Sequence, residues 1–223
     1  MSRGLFRILG PIMVGPSSSH TAGAVRIGLV SRAVSKGKAV KVKFFLHGSF
    51  RNTYKGHGTD RALTAGILGL KTDDERIIQA LEIAKAKNLK VEFIKSDLGD
   101  VHPNTVRVVM SDANGEETSV LASSIGGGEI RVHAINNLKM NSSCSYNTVI
   151  ITHKKESNVL CKIFKLIRSK NLELVSLNLG DDEKTGQSVS ILEFNSNSEE
   201  VKQFTDHLAE LSAVKKVTNI EKI

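Results

Sequence analysis

Gly15-Pro16-Ser17-Ser18-Ser19-His20-Thr21-Ala22-Gly23-Ala24 links a Gly-Pro turn to the start of an apolar-periodic segment, with five consecutive hydroxyl- or imidazole-bearing side chains between them. That order places the polar cluster at a helix N-terminus. Free backbone N–H groups and the positive end of the helix dipole attract anions such as a carboxylate there. The hydroxyls of Ser17, Ser18, Ser19 and Thr21 and the imidazole of His20 add further donors and acceptors. One capping serine with polar neighbours would be ordinary; three serines and a histidine in succession go beyond a cap.

Downstream, Ala22, Val25, Leu29, Val30 and Ala33 recur at helical spacing and stop at Gly37, which puts His20 in the first turn. Val40, Val42, Phe44 and Leu46 alternate with Lys41 and Lys43, the pattern of a half-buried strand. A second polar cluster, His47 to Asp60, reads as a loop leading into a second helix with Ala62, Leu63, Ala65, Gly66, Ile67 and Leu70. Thr59 or Asp60 is expected to cap it. Gly56 and Gly58 flank His57 and allow close backbone approach to a ligand, so His57 is presented at a strand-to-helix junction, where α/β proteins place their sites.

Thr72-Asp73-Asp74-Glu75 reads as a capping box opening a third helix through Lys87, its acidic residues serving the helix dipole. Strands are expected at 90–94 and 105–111, the second pairing through an Asn114-Gly115 turn with 117–124. Gly126-Gly127-Gly128 precedes another strand at 129–135. Ser124, Gly126, Gly127 and Gly128 form either an anion-binding nest or a glycine run at a bulge. A polar stretch, 141–147, reads as a linker. Beyond it the order is strand 148–153, helix 158–170, strands 172–179 and 187–194, helix 198–212 and strand 214–220, a ferredoxin-like βαββαβ arrangement. The expected organisation is thus α+β, with a first domain over 1–140, a linker over 141–147 and a second domain over 148–223.

Composition narrows the partners. Of 223 residues, 40% are hydrophobic and 24% charged, enough to bury a core. Net charge is +8, but the lysines are dispersed, aromatics make up 4% and tryptophan is absent, which argues against nucleic acid. No apolar run approaches the roughly 20 residues that span a bilayer, and the apolar segment within residues 1–15 is too short and interrupted for a secretory signal. A cytoplasmic protein without membrane attachment is expected. Cys144 and Cys161 show no metal-ligand spacing.

Taken together, Gly15 to Ala24, His47-Gly48-Ser49-Phe50, Gly56-His57-Gly58-Thr59-Asp60-Arg61-Ala62, the Asp97 to Thr105 stretch with His102-Pro103-Asn104-Thr105, and Ser123-Ser124-Ile125-Gly126-Gly127-Gly128-Glu129-Ile130 resemble, in that order, the beta subunit of the two-subunit, iron–sulfur-dependent L-serine dehydratase. The resemblance covers nearly the whole chain and includes a C-terminal domain like the ACT module of that family; the N-terminal domain is also similar to the allosteric substrate-binding domain of some phosphoglycerate dehydrogenases. It implies conversion of L-serine to pyruvate and ammonia at a 4Fe-4S cluster without pyridoxal phosphate. With two cysteines outside the motifs, the resemblance implies cluster ligands from a cysteine-bearing alpha subunit, no metal ligands in this chain, and activity only in the assembled pair.

That chemistry asks for a Lewis acid on the β-hydroxyl, a base for the α-proton and donors for the carboxylate. The resemblance assigns substrate binding to Ser17, Ser18, Ser19, Thr21, Thr59 and Asp60 and proton transfer to His57 and His20. His57 is favoured as the base with His20 orienting substrate or a serine hydroxyl, and the reverse assignment stays open; Asp60 either orients His57 or caps its helix. ACT modules pair through their sheets and bind effectors at the loop after the first strand. Here that loop reads Lys155-Glu156-Ser157-Asn158-Val159-Leu160 and lacks the usual glycine, so self-association is expected ahead of effector binding. The alternative is a non-catalytic, small-molecule-binding regulatory module, against which the retained Ser17–Thr21 and Gly56–Asp60 motifs count.

Overall fold

A computed structural model describes residues 13–136, 138–182 and 186–222, so most of the N-terminal stretch read against a secretory signal lies outside the described residues. Among the described residues no helix is long and apolar enough to cross a membrane. They fall into two compact units, one ending at Asn136 and taking in Asn141–Ser143, the other comprising 138–140 and the chain from Cys144 onward.

The first unit is built on a sheet whose strands run β1 Lys41–Leu46, β2 Lys90–Lys95, β3 Thr105–Ser111, β4 Glu117–Gly126, β5 Glu129–Ile135 and β6 Leu138–Ser142, in the spatial order β2-β1-β3-β4-β5-β6. β1 and β2 are parallel, while β1–β3, β3–β4 and β4–β5 are antiparallel. The period-2 pattern of β1 aligns with its neighbours: Val42 faces Met110, Phe44 faces Val108 and Leu46 faces Val106, all buried. Each large side chain buried in this way contributes about 1.5–3 kcal/mol relative to exposure. The helices α1 Gly23–Val34, α2 Gly48–Thr53, α3 Thr59–Leu68 and α4 Ala80–Ala86 join this sheet, with α1 packed on α3 and on β4.

Several local readings are corrected. Helix α1 is preceded by a π-helical turn, Ser18–Ala22, so His20 sits in that turn and not in a regular first turn. The segment read as loop after β1 contains α2, seated by tertiary contact: Gly48 is left-handed at φ 53° and a Cβ there would meet the Pro103 carbonyl oxygen at 2.5 Å, while Ser49 N donates to that oxygen at 2.8 Å. Helix α3 is entered through Gly58, left-handed at φ 69°, without the side-chain cap expected from Thr59 or Asp60. The expected third helix begins as a 3-10 helix, Glu75–Gln79, capped by Asp74, whose carboxylate accepts from Arg76 N. β6 runs into the segment read as linker, where its polar residues hide the strand.

The second unit follows β7 Asn147–His153, α5 Ser157–Ser169, β8 Leu174–Asp182, β9 Gln187–Phe194, α6 Ser198–Ala209 and β10 Val214–Ile220. Its antiparallel sheet has the order β10-β7-β9-β8, which is the ferredoxin-like βαββαβ topology. Val159, Ile163 and Ile167 on α5 and Val201, Phe204 and Leu208 on α6 recur at helical spacing and bury against Val149, Ile151, Leu192 and Phe194. Asn197 caps α6 by accepting from Glu200 N at 2.9 Å. Together the two units give the expected α+β class.

Helices α1 and α3 touch backbone to backbone. A Cβ on Gly66 would lie 2.2 Å from the Val25 carbonyl oxygen and 2.7 Å from Gly28 Cα. Gly66→Ala must therefore push the helices apart, and the cost is expected at about 1–3 kcal/mol or more, the range for an overpacked core. Urea unfolding monitored by circular dichroism checks this; a stability equal to the wild type would contradict the close crossing.

Candidate active site

The π-helical turn Ser18–Ala22 gathers the first motif. Ser17 is its cap, extended at φ −143° and ψ 125°, and its hydroxyl oxygen accepts from His20 N at 3.2 Å. His20 is 9% exposed. Its Nδ1 lies 3.5 Å from Ser17 Oγ and its Nε2 3.2 Å from Ser49 Oγ, so residues of both polar clusters hold one imidazole. The edge of Phe50 packs on it at 5.3 Å between centroids. π-helical turns concentrate at functional sites because they change the facing of successive side chains.

His57 meets this ring. The His20 and His57 centroids are 4.6 Å apart with planes at 68°. His57 is exposed, whereas burial lowers the His20 pKa from its ordinary value and the His57 charge lowers it further. The site thus favours the neutral form of His20. Beside it lies a cleft of about 320 Å³ lined by Gly15, Pro16, Thr21, Lys55, His57 and Arg61.

The remaining expected residues divide. Thr21 is buried and lines the cleft, and its hydroxyl has no hydrogen-bond partner among the described residues. Thr59 is fully buried with its hydroxyl likewise unpartnered. Ser18 and Ser19 are half-buried and do not line the cleft. Asp60 accepts from Arg61 N at 2.8 Å within the first turn of α3; burial raises its carboxyl pKa, opposed by that hydrogen bond and by the charges of Arg61 and Lys55.

Ser124, fully buried on β4, packs directly on the first residue of α1: a Cβ on Gly23 would meet its hydroxyl oxygen at 2.0 Å. That hydroxyl, too, has no partner among the described residues. Gly126, Gly127 and Gly128 instead form the turn into β5, with φ of 107°, 59° and 79° and an irregular register between Ser124 and Gly126. Three successive positive φ values differ from the alternating conformations of a nest. The Gly128 carbonyl accepts from Arg26 at 2.8 Å, one turn along α1 from Gly23. The bulge is the reading this geometry supports.

The family described as serine dehydratase beta chain matches residues 5–89. A protein of Peptoniphilus asaccharolyticus named "L-serine dehydratase, beta chain" is 44% identical over 174 residues, which cover 78% of each chain. The chain belongs to the L-serine dehydratase beta-chain family. A "Probable L-serine dehydratase, beta chain" of Bacillus subtilis strain 168 is 34% identical over 98% of each chain. Among solved structures, the ACT domain from the GTP pyrophosphokinase of Chlorobium tepidum is 18% identical, with a TM-score of 0.28 over 33% of this chain and 94% of that one. The βαββαβ topology of this beta chain rests on its own strand order.

Sequence reading missed three groups in the beta chain. Lys55 and Arg61 line the cleft but resemble ordinary surface charges in the sequence. Ser49 lies in the quoted His47–Phe50 motif without carrying an assigned role, and it holds His20. A polar chain joins the Asp97–Thr105 loop to the sheet: Thr105 donates to the His102 carbonyl at 2.5 Å, Thr105 and Ser123 hydroxyls are 2.6 Å apart, and Ser123 Oγ is 2.8 Å from His133 Nε2. The register that pairs Thr105 with Ser123 follows from the Asn114-Gly115 turn and was the one legible signal.

In the second unit a separate cavity of about 380 Å³ lies among His153, Lys155, Leu160, Leu179, Asp181 and Val189. It adjoins the loop after β7, so loss of the glycine has not filled that position. Lys155 and Asp181 pair there at 2.5 Å.

Because the folded His20 pKa is lowered, the unfolded chain binds more protons between the ordinary value, about 6.5, and the lower folded value. Stability contributed by neutral His20 is therefore present above that window and lost as pH falls through it. In imidazole NMR titrations, His57→Ala should raise the His20 pKa by removing the His57 charge and admitting solvent. An unchanged or lower value would contradict the coupling.

Proposed function

We propose that this beta chain is the part of an L-serine ammonia-lyase that places the substrate and moves its α-proton, active in the cytoplasm only with a cysteine-bearing alpha subunit carrying a 4Fe-4S cluster, without pyridoxal phosphate. The family assignment supports the enzyme over the purely regulatory module. The observation that carries the residue roles is the contact of exposed His57 with buried His20 at 4.6 Å, beside the Thr21 cleft.

The described residues do not fit a cluster of their own: among them no three His, Cys, Asp or Glu side chains converge to hold a metal. The cluster is therefore proposed to lie on the alpha subunit, where an open iron position would supply the Lewis acid for the departing hydroxyl. The roles given to this chain are its own. Thr21, which lines the cleft, faces the substrate carboxylate. His57, exposed at the cleft, takes the α-proton. His20, kept neutral by burial and held between Ser17 and Ser49, fixes the His57 ring. A placed general base is worth about 10²–10⁴ in rate. In the assembled enzyme, His57→Ala should lower pyruvate formation by about 10²-fold or more, while subunit assembly and the visible absorbance of the cluster persist. Turnover near the wild type would remove His57 from that role.

Self-association through the second unit is part of the proposal. β8 is an outer strand of its sheet, and Val175 and Leu179 on it are 43% and 57% exposed. An outer strand with apolar side chains invites pairing with another copy. Leu179→Glu should shift the chain toward the monomer in sedimentation velocity, and a distribution unchanged from wild type would count against this edge.

A further inference from the structure

The cleft beside His57 carries more positive charge than proton transfer requires. Lys55 lies in the loop before His57 and Arg61 in the first turn of α3, and both line the cleft together with Thr21. Both side chains are exposed, and among the described residues neither is ion-paired with a carboxylate. Even with Asp60 ionised, two cations outnumber one carboxylate here. Lys55 Nζ sits 5.9 Å from the centroid of the Tyr54 ring, and Tyr54 stacks on Phe93 at 5.7 Å, so the ammonium is held near the wall and not left to sample open solvent. In the same lining, the hydroxyl of Thr21, a residue only 3% exposed, lacks a partner among the described residues.

We infer that Lys55 and Arg61, with the Thr21 hydroxyl, form the clamp that selects the substrate by its free carboxylate. This deepens the proposed dehydratase reading and rests on it for the identity of the substrate. A carboxylate held by a guanidinium, an ammonium and a hydroxyl forms charge-assisted hydrogen bonds, of which the arginine contact can be bidentate. In an α-amino acid the carboxylate is attached to the carbon whose proton is removed. Anchoring it within this lining therefore brings that C–H toward His57, which lines the same cleft. Ser18 and Ser19, expected to take this role, do not line the cleft. Analogues whose carboxylate is replaced by a neutral amide lose the clamp.

The test uses the assembled alpha–beta enzyme with Lys55→Met, Arg61→Met, the double variant and Arg61→Lys. Each methionine variant should raise KM for L-serine about tenfold or more with kcat within about threefold of wild type, a tenfold change being about 1.4 kcal/mol. Calorimetric affinity for L-alanine, a non-reacting carboxylate probe, should weaken in parallel. Inhibition by L-serinamide should stay unchanged, and Arg61→Lys should restore part of the loss. A double variant whose KM and L-alanine affinity match wild type overturns the clamp, as does an equal loss toward L-serinamide. Pyruvate formed normally by that double variant would sink the clamp and leave the dehydratase reading standing. If the wild-type assembly binds L-alanine through Lys55 and Arg61 but forms no pyruvate from L-serine, the dehydratase reading falls and the carboxylate clamp remains.

Discussion

Helices α1 and α3 cross where neither has a side chain to keep them apart, and the candidate site depends on that crossing. Gly28 and Gly66 bring the two backbones into contact, and Gly23 admits Ser124 from β4 at the start of α1. Each helix begins just after one of the histidines: His20 lies in the turn that runs into α1, and His57 precedes the first residue of α3 by two positions. Helices are stiff rods with a rise of about 1.5 Å per residue, so the crossing at their middles sets the separation of their starts. A 4.6 Å ring contact between residues 37 positions apart is thus a consequence of two glycines that touch no ligand.

The same packing leaves polar groups buried without partners in a telling distribution. Among the described residues of the first unit, the unpartnered buried side-chain oxygens belong to Thr21, Thr59, Asn104 and Ser124. One falls in each of four of the five motifs: the Gly15–Ala24 stretch, the Gly56–Ala62 stretch, the Asp97–Thr105 loop and the Ser123–Ile130 segment, with His47–Phe50 the exception. Leaving such an oxygen unpaired costs about 1–3 kcal/mol. A chain shaped for stability alone would have paired them or replaced them with apolar groups of the same size. Of the four, Thr21 lines the cationic cleft and lies next to His20 in the chain, where an unpaired hydroxyl suits a polar ligand.

Where local pattern decides structure, it was legible: the alternation of β1, the helical spacing on α5 and α6, and the Asn114-Gly115 turn all lie where the periodicity puts them. Where tertiary contact decides, it was not. Helix α2 is six residues long and owes its start to the Pro103 carbonyl, more than fifty positions away. β6 alternates polar residues along an outer strand and so reads as linker. In the site, the motifs announced His20, His57 and Thr21, because clustered hydroxyls and glycine-flanked histidines are uncommon locally. Lys55 and Arg61 were silent, since only the fold distinguishes a cation at a cleft from one on the surface. Ser18 and Ser19 misled for the converse reason: membership of a motif does not say which way a π-helical turn points each side chain.

His133 shows why a lowered imidazole is not by itself a functional one. Burial lowers its pKa first, as for His20, with the charges of Arg131 and His102 adding to the effect. Its place comes from an irregularity in the β4–β5 ladder, where Leu121 pairs with Ala134 and Ala122 with Val132, leaving His133 as the extra residue. Each hydroxyl in its chain has one proton to give. Thr105 gives its proton to the His102 carbonyl, so Ser123 donates to Thr105, and His133 must donate from Nε2 to Ser123. Every proton in that series is committed within the protein, which fixes the tautomer and ties the Asp97–Thr105 loop to the sheet. His20 differs in what it faces. Its ring leans on an exposed imidazole at the wall of a cationic cleft, so the burial that closes His133 into a strut sets His20 against the ring that lines the cleft.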